Sequence, residues 1–360
     1  MVEPLPGIDR RIDHDDTVTD TPRARSDAYE RPTRVTQPLT EKITDGVHRI
    51  PLALPLDDLK VINAYAFESA DGLVLIDPGW ATSETERTLT HAVSELGYTP
   101  RDITTIIATH AHWDHYTQAV GLRDDYGCRL HLGAGERYSL DAFATLTGPY
   151  PRQVELLRAA GARDLADYID TLPYQEHEIG LPLGHPDVWM HDGDIFDLGD
   201  RTLTVHEVPG HTRGHMIIAD ETAGVMVTGD HILPRITPSI GFEREPEAMP
   251  LGSFLSSLRA TLELPDARML PAHGPMADSV HDRARELLAH HDERLTEIRK
   301  LAEDGRSPHE IAQALPWTRY ARRLDDLNPV HRMVAILEVA THLDYDRSVQ
   351  TGPSHTNTGS

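Results

Sequence analysis

Short apolar runs and amphipathic helical stretches alternate along most of this chain, and only helices follow near its end. Residues 46–76 read as three strands in succession, broken near Leu56-Asp57-Asp58 and at Asp71-Gly72. The last of them, Leu73-Val-Leu-Ile, runs into Asp77-Pro-Gly79, an aspartate on a glycine-containing turn. Ser83 to Leu96 places Thr88, His91, Ala92 and Leu96 at helical spacing and is predicted to be an amphipathic helix. A buried strand over 103–108 follows, then a helix, then the strand Cys128-Arg-Leu-His-Leu132. Helical segments are predicted around 136–147 and 152–171. Strands resume at 188–191, 195–198 and 201–208, with the Gly193-Asp194 turn between the first two, and 215–219 with 224–228 form a hairpin. Residues 246–263 read as a helix and 267–270 as the last strand. From Arg283 the pattern is helical: 283–302, a second helix started by Ser307-Pro308, and a third from Asn328-Pro329 with Val330, Val334, Leu337 and Ala340 on one face.

That order divides the chain. Residues 1–40 hold Pro, Thr, Arg and Asp without a period and are expected to be disordered. Residues 41–280 carry every predicted strand and form the main domain. Within it, 133–186 is longer than a helix-to-strand connection needs. Its larger apolar residues, among them Leu140, Phe143, Tyr150 and Leu157, favour a cap that supplies an apolar pocket; the alternative is two helices packed on the flank of the sheets. Residues 281–347 form a small helical domain and 348–360 a flexible tail.

Composition narrows the setting. The single cysteine, Cys128, excludes a disulfide framework, fits a reducing compartment, and reads as a buried core thiol. The first thirty residues show no apolar core of a signal peptide, and no window approaches the ~18 apolar residues of a membrane span. A cytoplasmic protein without membrane contact is expected. A net charge of −24 disfavours nucleic acid, whose binding needs Lys and Arg against phosphates, yet leaves room for an acidic small substrate held by local basic groups. The run Asp13-His14-Asp15-Asp16 reads as solvated tail charge and not as a metal site.

The candidate chemistry lies at strand ends. His110-Ala-His112-Trp-Asp114-His115 sets four metal-ligating side chains into six residues directly after the 103–108 strand, where open α/β sheets bind ligands. His110 and His112, two apart on an extended turn, can share one ion; Asp114 and His115, opening the next helix, can face a second. With 22 histidines in the chain, one such cluster is weak. Three further segments strengthen it, each ending a strand-like run: Pro209-Gly210-His211-Thr212, Gly229-Asp230-His231 and Ala272-His273-Gly274. Two ions about 3.5–4 Å apart can trap a hydroxide and stabilise charge on an attacked carbonyl or phosphoryl oxygen. This donor set suits zinc, iron and manganese alike.

Together these residues resemble the metallo-β-lactamase superfamily over about residues 44–280. Asp77 matches its first motif, His110, His112, Asp114 and His115 the second, and His211, Asp230 and His273 the third, fourth and fifth. The resemblance implies an α/β fold, the αββα sandwich, followed by a small helical, winged-helix-like C-terminal domain. It implies two divalent metal ions, zinc being expected, with iron or manganese as alternatives. His110, His112 and His211 would hold one ion, Asp114, His115 and His273 the other, and Asp230 would bridge them. Asp77 and His215 would stand just outside the ligands, as would His231. Asp114 and Asp230 are the expected catalytic carboxylates, Asp114 as proton shuttle.

An aspartate at 230 resembles glyoxalase II and other thioesterases, lactonases and RNA-processing members more than true β-lactamases. The expected function is a dinuclear metal-dependent hydrolase cleaving an acyl thioester of glutathione or coenzyme A by attack of a metal-bridging hydroxide. The alternatives are a lactone hydrolase and an RNA-processing nuclease using the C-terminal domain. The gap between Asp230 and His273 is too short for the domain that RNA-processing members usually insert there. A small-molecule substrate is the expected partner, and a homodimer stays open. Where many members carry a glycine pair after the second motif, this chain has Tyr116-Thr117-Gln118, which leaves the pocket wall undefined. Trp113 and Tyr116 are candidates for either substrate contact or core.

Overall fold

The computed structural model describes residues 39–56, 59–318 and 320–351. The expected disordered segment up to residue 38, with Asp13-His14-Asp15-Asp16, lies outside the described residues.

Two sheets carry the fold. The first runs in chain order from β1 (Glu41–Thr44), β2 (Val47–Ala53), β3 (Val61–Ser69) and β4 (Gly72–Ile76) to β5 (Ile103–Ala108), β6 (Arg129–Gly133) and β7 (Val188–Met190). Its first four strands pair antiparallel, as hairpins allow, and β4 to β7 pair parallel. The second sheet is ordered β12-β11-β10-β9-β8, built from β8 (Ile195–Asp197), β9 (Thr202–Glu207), β10 (Met216–Asp220), β11 (Val225–Gly229) and β12 (Arg268–Pro271).

The period-2 alternation of strand side chains sets the layers. On β3, Tyr65 and Phe67 join Leu203, Val205, Met216 and Ile218 of the second sheet in a core between the sheets. The alternate residues Ile62, Ala64 and Ala66 turn to the opposite face, packing with Leu89 and Val93 of helix α1 (Ser83–Glu95) and Tyr116 and Val120 of α2 (Trp113–Tyr126). On the second sheet, Ile217, Met226 and Met269 face outward onto Phe254 and Leu258 of α6 (Pro250–Thr261) and Leu287 of α7 (Val280–Ala302). Both faces of both sheets are thus covered, which is why these strands are almost continuously apolar. The layering is αββα, as expected.

A further core joins segments far apart in sequence. Helices α4 (Pro151–Ala159) and α5 (Arg163–Asp170), from the long insertion after α3 (Arg137–Phe143), contribute Val154, Leu157 and Ile169. These pack with Ile298 of α7, Ile311 of α8 (Pro308–Ala314), and Ile336 and Val339 of α9 (Pro329–Thr351). The insertion is therefore packed on the C-terminal helices.

Several elements depart from the sequence reading. β1 was not anticipated; it folds back on β2 through Gly46 at φ +69°. The buried face of α1 is Thr85, Leu89, Ala92 and Val93, while His91 is exposed. The stretch 152–171 is two helices because Gly161, at φ +87°, ends the first. α7 begins earlier than expected, at Val280, where the Ser279 hydroxyl caps Asp282 N at 3.0 Å. α9 continues through Ser348, where a tail was expected, to Thr351. Among the described residues no helix is long and apolar enough to cross a membrane.

Candidate metal centre

Four strand ends deliver the polar residues. β5 stops at Ala108, the chain stays extended through His112 (φ −62°, ψ 149°), and α2 opens at Trp113. His110 and His112 therefore leave a strand end, whereas Asp114 and His115 occupy a first helical turn. β9 leads through Pro209-Gly210 to His211. Gly210 is at φ +132°, and a methyl group there would lie 2.4 Å from the Phe254 backbone, so α6 packs directly on this turn. β11 ends at Gly229, next to Asp230, and β12 at Pro271, two residues before His273.

All seven expected ligand residues meet. Three overlapping groups can each hold a metal ion: His110, His112 and His211; His110, His115 and Asp230; and Asp114, His115 and His273. His112 Nδ1 lies 2.9 Å from His110 Nε2 and 3.1 Å from His211 Nε2. Asp114 Oδ2 is 3.3 Å from His273 Nε2 and 3.7 Å from His115 Nε2. Asp230 reaches both sides, with Oδ2 3.7 Å from His211 Nε2 and Oδ1 3.4 Å from His273 Nε2. Donor atoms at the corners of a tetrahedron with bonds of about 2.0–2.1 Å stand roughly 3.3–3.4 Å apart, so the spacing fits a metal ion.

The protein also fixes which ring nitrogen faces inward. A backbone carbonyl only accepts, so the nitrogen bonded to it must carry the proton. His112 Nε2 donates to Phe242 O at 2.8 Å, His211 Nδ1 to Ser239 O at 2.7 Å, and His273 Nδ1 to Val61 O at 2.9 Å. His115 Nδ1 donates to Asp77 Oδ2 at 2.8 Å. Thr109 gives its hydroxyl proton to Asp77 Oδ2 at 2.8 Å and so accepts from His110 Nδ1 at 3.0 Å. In its neutral form each of the five imidazoles thus turns a bare lone pair to the centre, the outer contact that metal-binding histidines make. His115 Nε2, His273 Nε2 and Asp230 Oδ1 are buried there without a hydrogen-bond partner. Divalent ions would supply the missing partner.

Asp77 is buried at φ 51° and also accepts from Thr109 N at 2.7 Å, so one carboxylate aligns the loop and the His115 ring. His215 lies outside the ligand groups: it stacks on His110 with centroids 4.8 Å apart and accepts from Asp230 N at 3.0 Å. His231 is buried against Phe254, away from the ligands. Burial, reinforced by the neighbouring imidazoles, holds His110 well below its ordinary pKa. Burial also opposes charge on His115, but Asp114, Asp77 and Asp230 outweigh it and raise its pKa to about 10. Asp114, despite burial, is lowered by His115 and His273. A cluster this rich in carboxylate favours cations.

One residue of the centre escaped the sequence reading. Glu136, fully buried, accepts from Ala111 N at 3.2 Å, Thr212 Oγ1 at 2.5 Å and Gly214 N at 3.0 Å. It ties the His110–His112 loop to the His211 loop. Burial pushes its pKa up to about 7 against these hydrogen bonds. Its signal was available: a carboxylate just past a strand end, in Gly133-Ala-Gly135-Glu136.

A cavity of about 420 Å³ meets the cluster at His112 and Asp114. Trp80, Trp113, Phe143, Tyr150 and Phe242 form much of its wall, and Val330 of α9 closes one side. The insertion and the last helix both contribute to this wall. Trp113 is therefore a cavity residue, whereas Tyr116 is core, its hydroxyl donating to Gly184 O at 2.6 Å. Thr117 Oγ1 accepts from Ala81 N at 2.9 Å, so this side chain of the departure from the glycine pair braces the Asp77 turn, beside the backbone bond from Gln118 N to Gly79 O at 3.1 Å.

Residues 57–273, more than half of the chain, match the metallo-β-lactamase superfamily. The chain belongs to that superfamily. This metallo-β-lactamase superfamily member is 30% identical over 177 residues to an uncharacterised protein of Mycobacterium leprae, covering 48% of this chain and 69% of the relative. Over 125 residues it is 28% identical to the acyl-coenzyme A thioesterase MBLAC2 of Homo sapiens, covering 34% of this chain and 39% of that protein. The crystal structure of a metallo-β-lactamase family protein from Thermus thermophilus is similar at TM-score 0.70 and 26% identity, over 86% of this chain and 95% of that one.

Proposed function

We propose that this superfamily hydrolase cleaves acyl thioesters at a dinuclear metal centre, zinc being the expected ion. The observation that carries the reading is the largely apolar cavity of about 420 Å³ opening on the ligand cluster at His112 and Asp114. Such a cavity suits an acyl chain, and the partial similarity to an acyl-coenzyme A thioesterase points the same way. Bound divalent ions would supply Lewis acidity and a hydroxide nucleophile near neutral pH. His110, His112 and His211 form one ligand group and Asp114, His115 and His273 the other. Asp230 reaches toward both.

The chain's own part is orientation and proton handling. Asp77 and the carbonyls of Phe242, Ser239 and Val61 hold the imidazoles in the tautomer that can bind metal. Asp114 lines the cavity, and its pKa, lowered by His115 and His273, keeps it ionised. It can take up and pass on a proton but is not a standing acid. That matches a leaving group able to depart as a thiolate. The aromatic wall excludes water from the acyl chain. Cys128, a buried thiol, fits a reducing compartment, and we place the protein in the cytoplasm.

The test is thiol release from glutathione and coenzyme A thioesters by zinc-loaded protein, with Asp230→Ala as control and metal content measured on both. Turnover with about two ions per chain is expected, with turnover abolished and metal content lowered in the variant. Silence across the panel with two ions bound would overturn the thioester reading; an unimpaired variant would remove Asp230 from the centre.

A further inference from the structure

The cavity wall holds a cation without a counter-ion. Arg244 lines the cavity and is only 7% exposed. Its Nη2 donates to Leu146 O at 2.6 Å and Gly148 O at 3.0 Å, and its guanidinium lies 4.3 Å from the Phe143 ring centroid. Its Nε is buried without a hydrogen-bond partner. No carboxylate among the described residues is within ion-pair distance. Its chain neighbour Glu245 is committed to Arg152 at 3.0 Å. Of the carboxyls that share the lining, Asp114 belongs to the ligand cluster and Glu136 holds the two ligand loops. Glu178 accepts from Gln175 N at 2.6 Å, and Glu243 Oε2 accepts from the Ser139 hydroxyl at 2.8 Å while its Oε1 is buried without a partner; none of these carboxyls pairs with Arg244.

A guanidinium stays charged at any working pH, and burying it beside aromatic rings without an anion is unfavourable. Two carbonyls and a ring face compensate only in part. We infer that Arg244 reads a negative charge on the substrate, taking a carboxylate or phosphate oxygen of the portion that fills the cavity. This rests on the thioesterase reading for the kind of substrate, but not for the anion. The cavity then selects a molecule that is apolar along its length and anionic at one point, and Arg244 is the local basic group that holds the anion against the acidity of the rest of the protein.

Equilibrium binding tests this independently of turnover. The probes are unreactive thioether analogues in which the thioester carbonyl is a methylene: a six-carbon chain ending in carboxylate or in carboxamide on pantetheine, and the carboxamide chain on coenzyme A. Each is titrated into zinc-loaded wild type, Arg244→Met and Arg244→Lys, following tryptophan fluorescence, to which the cavity residues Trp80 and Trp113 contribute, with thermal melting to check folding. A charge-assisted hydrogen bond implies roughly 10- to 100-fold tighter binding of the anionic probe by wild type. Arg244→Met abolishes that preference, and Arg244→Lys, which keeps the charge without the fork, retains part of it. A preference for the carboxylate on pantetheine assigns the anion to the acyl end; one seen only with coenzyme A assigns it to phosphate on the thiol half. Lack of anion preference in wild type, or equal weakening of all three probes in folded Arg244→Met, would overturn the inference and leave Arg244 as a staple for the Leu146–Gly148 turn. Anion preference without hydrolysis of any thioester would sink the thioesterase reading and leave Arg244 its role.

Discussion

Asp77→Asn separates the two tasks assigned to Asp77. Asparagine keeps the volume and tolerates the left-handed backbone at φ 51°, so the substitution adds little strain, which alanine would not guarantee. It exchanges one acceptor oxygen for an amide donor. If the amide oxygen takes the place of Oδ1, facing Thr109 N, the NH2 group faces Thr109 Oγ1 and His115 Nδ1, each 2.8 Å from Oδ2 in the wild type. His115 Nδ1–H then meets another donor. The ring relieves this by moving its proton to Nε2, the nitrogen aimed at Asp114 and Asp230. A protonated Nε2 cannot bind metal. Losing one buried charge-assisted hydrogen bond costs about 1.5–3 kcal/mol, which is about 10- to 100-fold in affinity and matches what outer contacts of metal ligands contribute. The loss falls on the Asp114–His115–His273 group: His112 and His211 are oriented by carbonyls that the substitution does not touch, and His110 keeps its acceptor because Thr109 Oγ1 can accept from both the asparagine NH2 and His110 Nδ1. Stepwise zinc titration against a chromophoric chelator reads both sites: one affinity near wild type and one weakened by about 10- to 100-fold are expected. Two unchanged affinities, or equal losses at both sites, would refute the tautomer argument.

Three further outcomes follow from particular contacts. Glu136→Ala leaves Ala111 N, Gly214 N and the Thr212 hydroxyl buried without their acceptor; at about 1–3 kcal/mol for each unsatisfied donor, chemical denaturation should show a loss of at least about 3 kcal/mol, and a loss below about 1 kcal/mol would remove Glu136 as the tie between the loops. The Cys128 thiol, pushed up to about 11 by burial, is about one-thousandth ionised at pH 8, so iodoacetamide should label it far more slowly in the native protein than in urea; equal rates would contradict its burial. His291 Nδ1 donates to His342 Nε2 at 3.1 Å and His342 Nδ1 to Glu338 O at 2.7 Å, a buried pair held neutral, chiefly by burial, with His342 lowered to about 4. Folded-state values below the unfolded 6.5 mean that the unfolded chain binds more protons in acid, so stability drops as pH falls from about 6.5 toward 4. The His291→Leu/His342→Leu double variant should show a shallower acid slope in urea midpoints, and an identical slope would exclude the pair as its source.

The split between what was legible in the sequence and what was not follows the range of the interactions. The ligands follow the ends of four apolar strands, a local pattern, so His110, His112, Asp114, His115, His211, Asp230 and His273 could be read without knowing how the strands pair. The sheet layers came from the family resemblance instead: β3 is apolar on both faces, Tyr65 and Phe67 on one and Ile62, Ala64 and Ala66 on the other, so its own pattern does not say which face meets the second sheet. The face of α1 was misread because Thr88, His91 and Leu96 keep helical spacing as well as Leu89 and Val93 do, and only the sheet beneath decides which side is covered. What turns each ring is of another kind. His112 is set by the carbonyl of Phe242, 130 residues away, and His273 by that of Val61, 212 residues away. A carbonyl belongs to every residue and leaves no mark in the sequence. Glu136 and Arg244 do leave one, but a carboxylate after a strand or an arginine in a loop gains meaning only when the opposite wall is known. Arg244 meets its wall at Leu146 and Gly148, inside the insertion that packs on α9. On the proposed function, the metal ligands are therefore carried by local sequence and the cavity wall by long-range packing, so variants that alter the insertion or α9 should change which substrate is taken before they change whether metal is held.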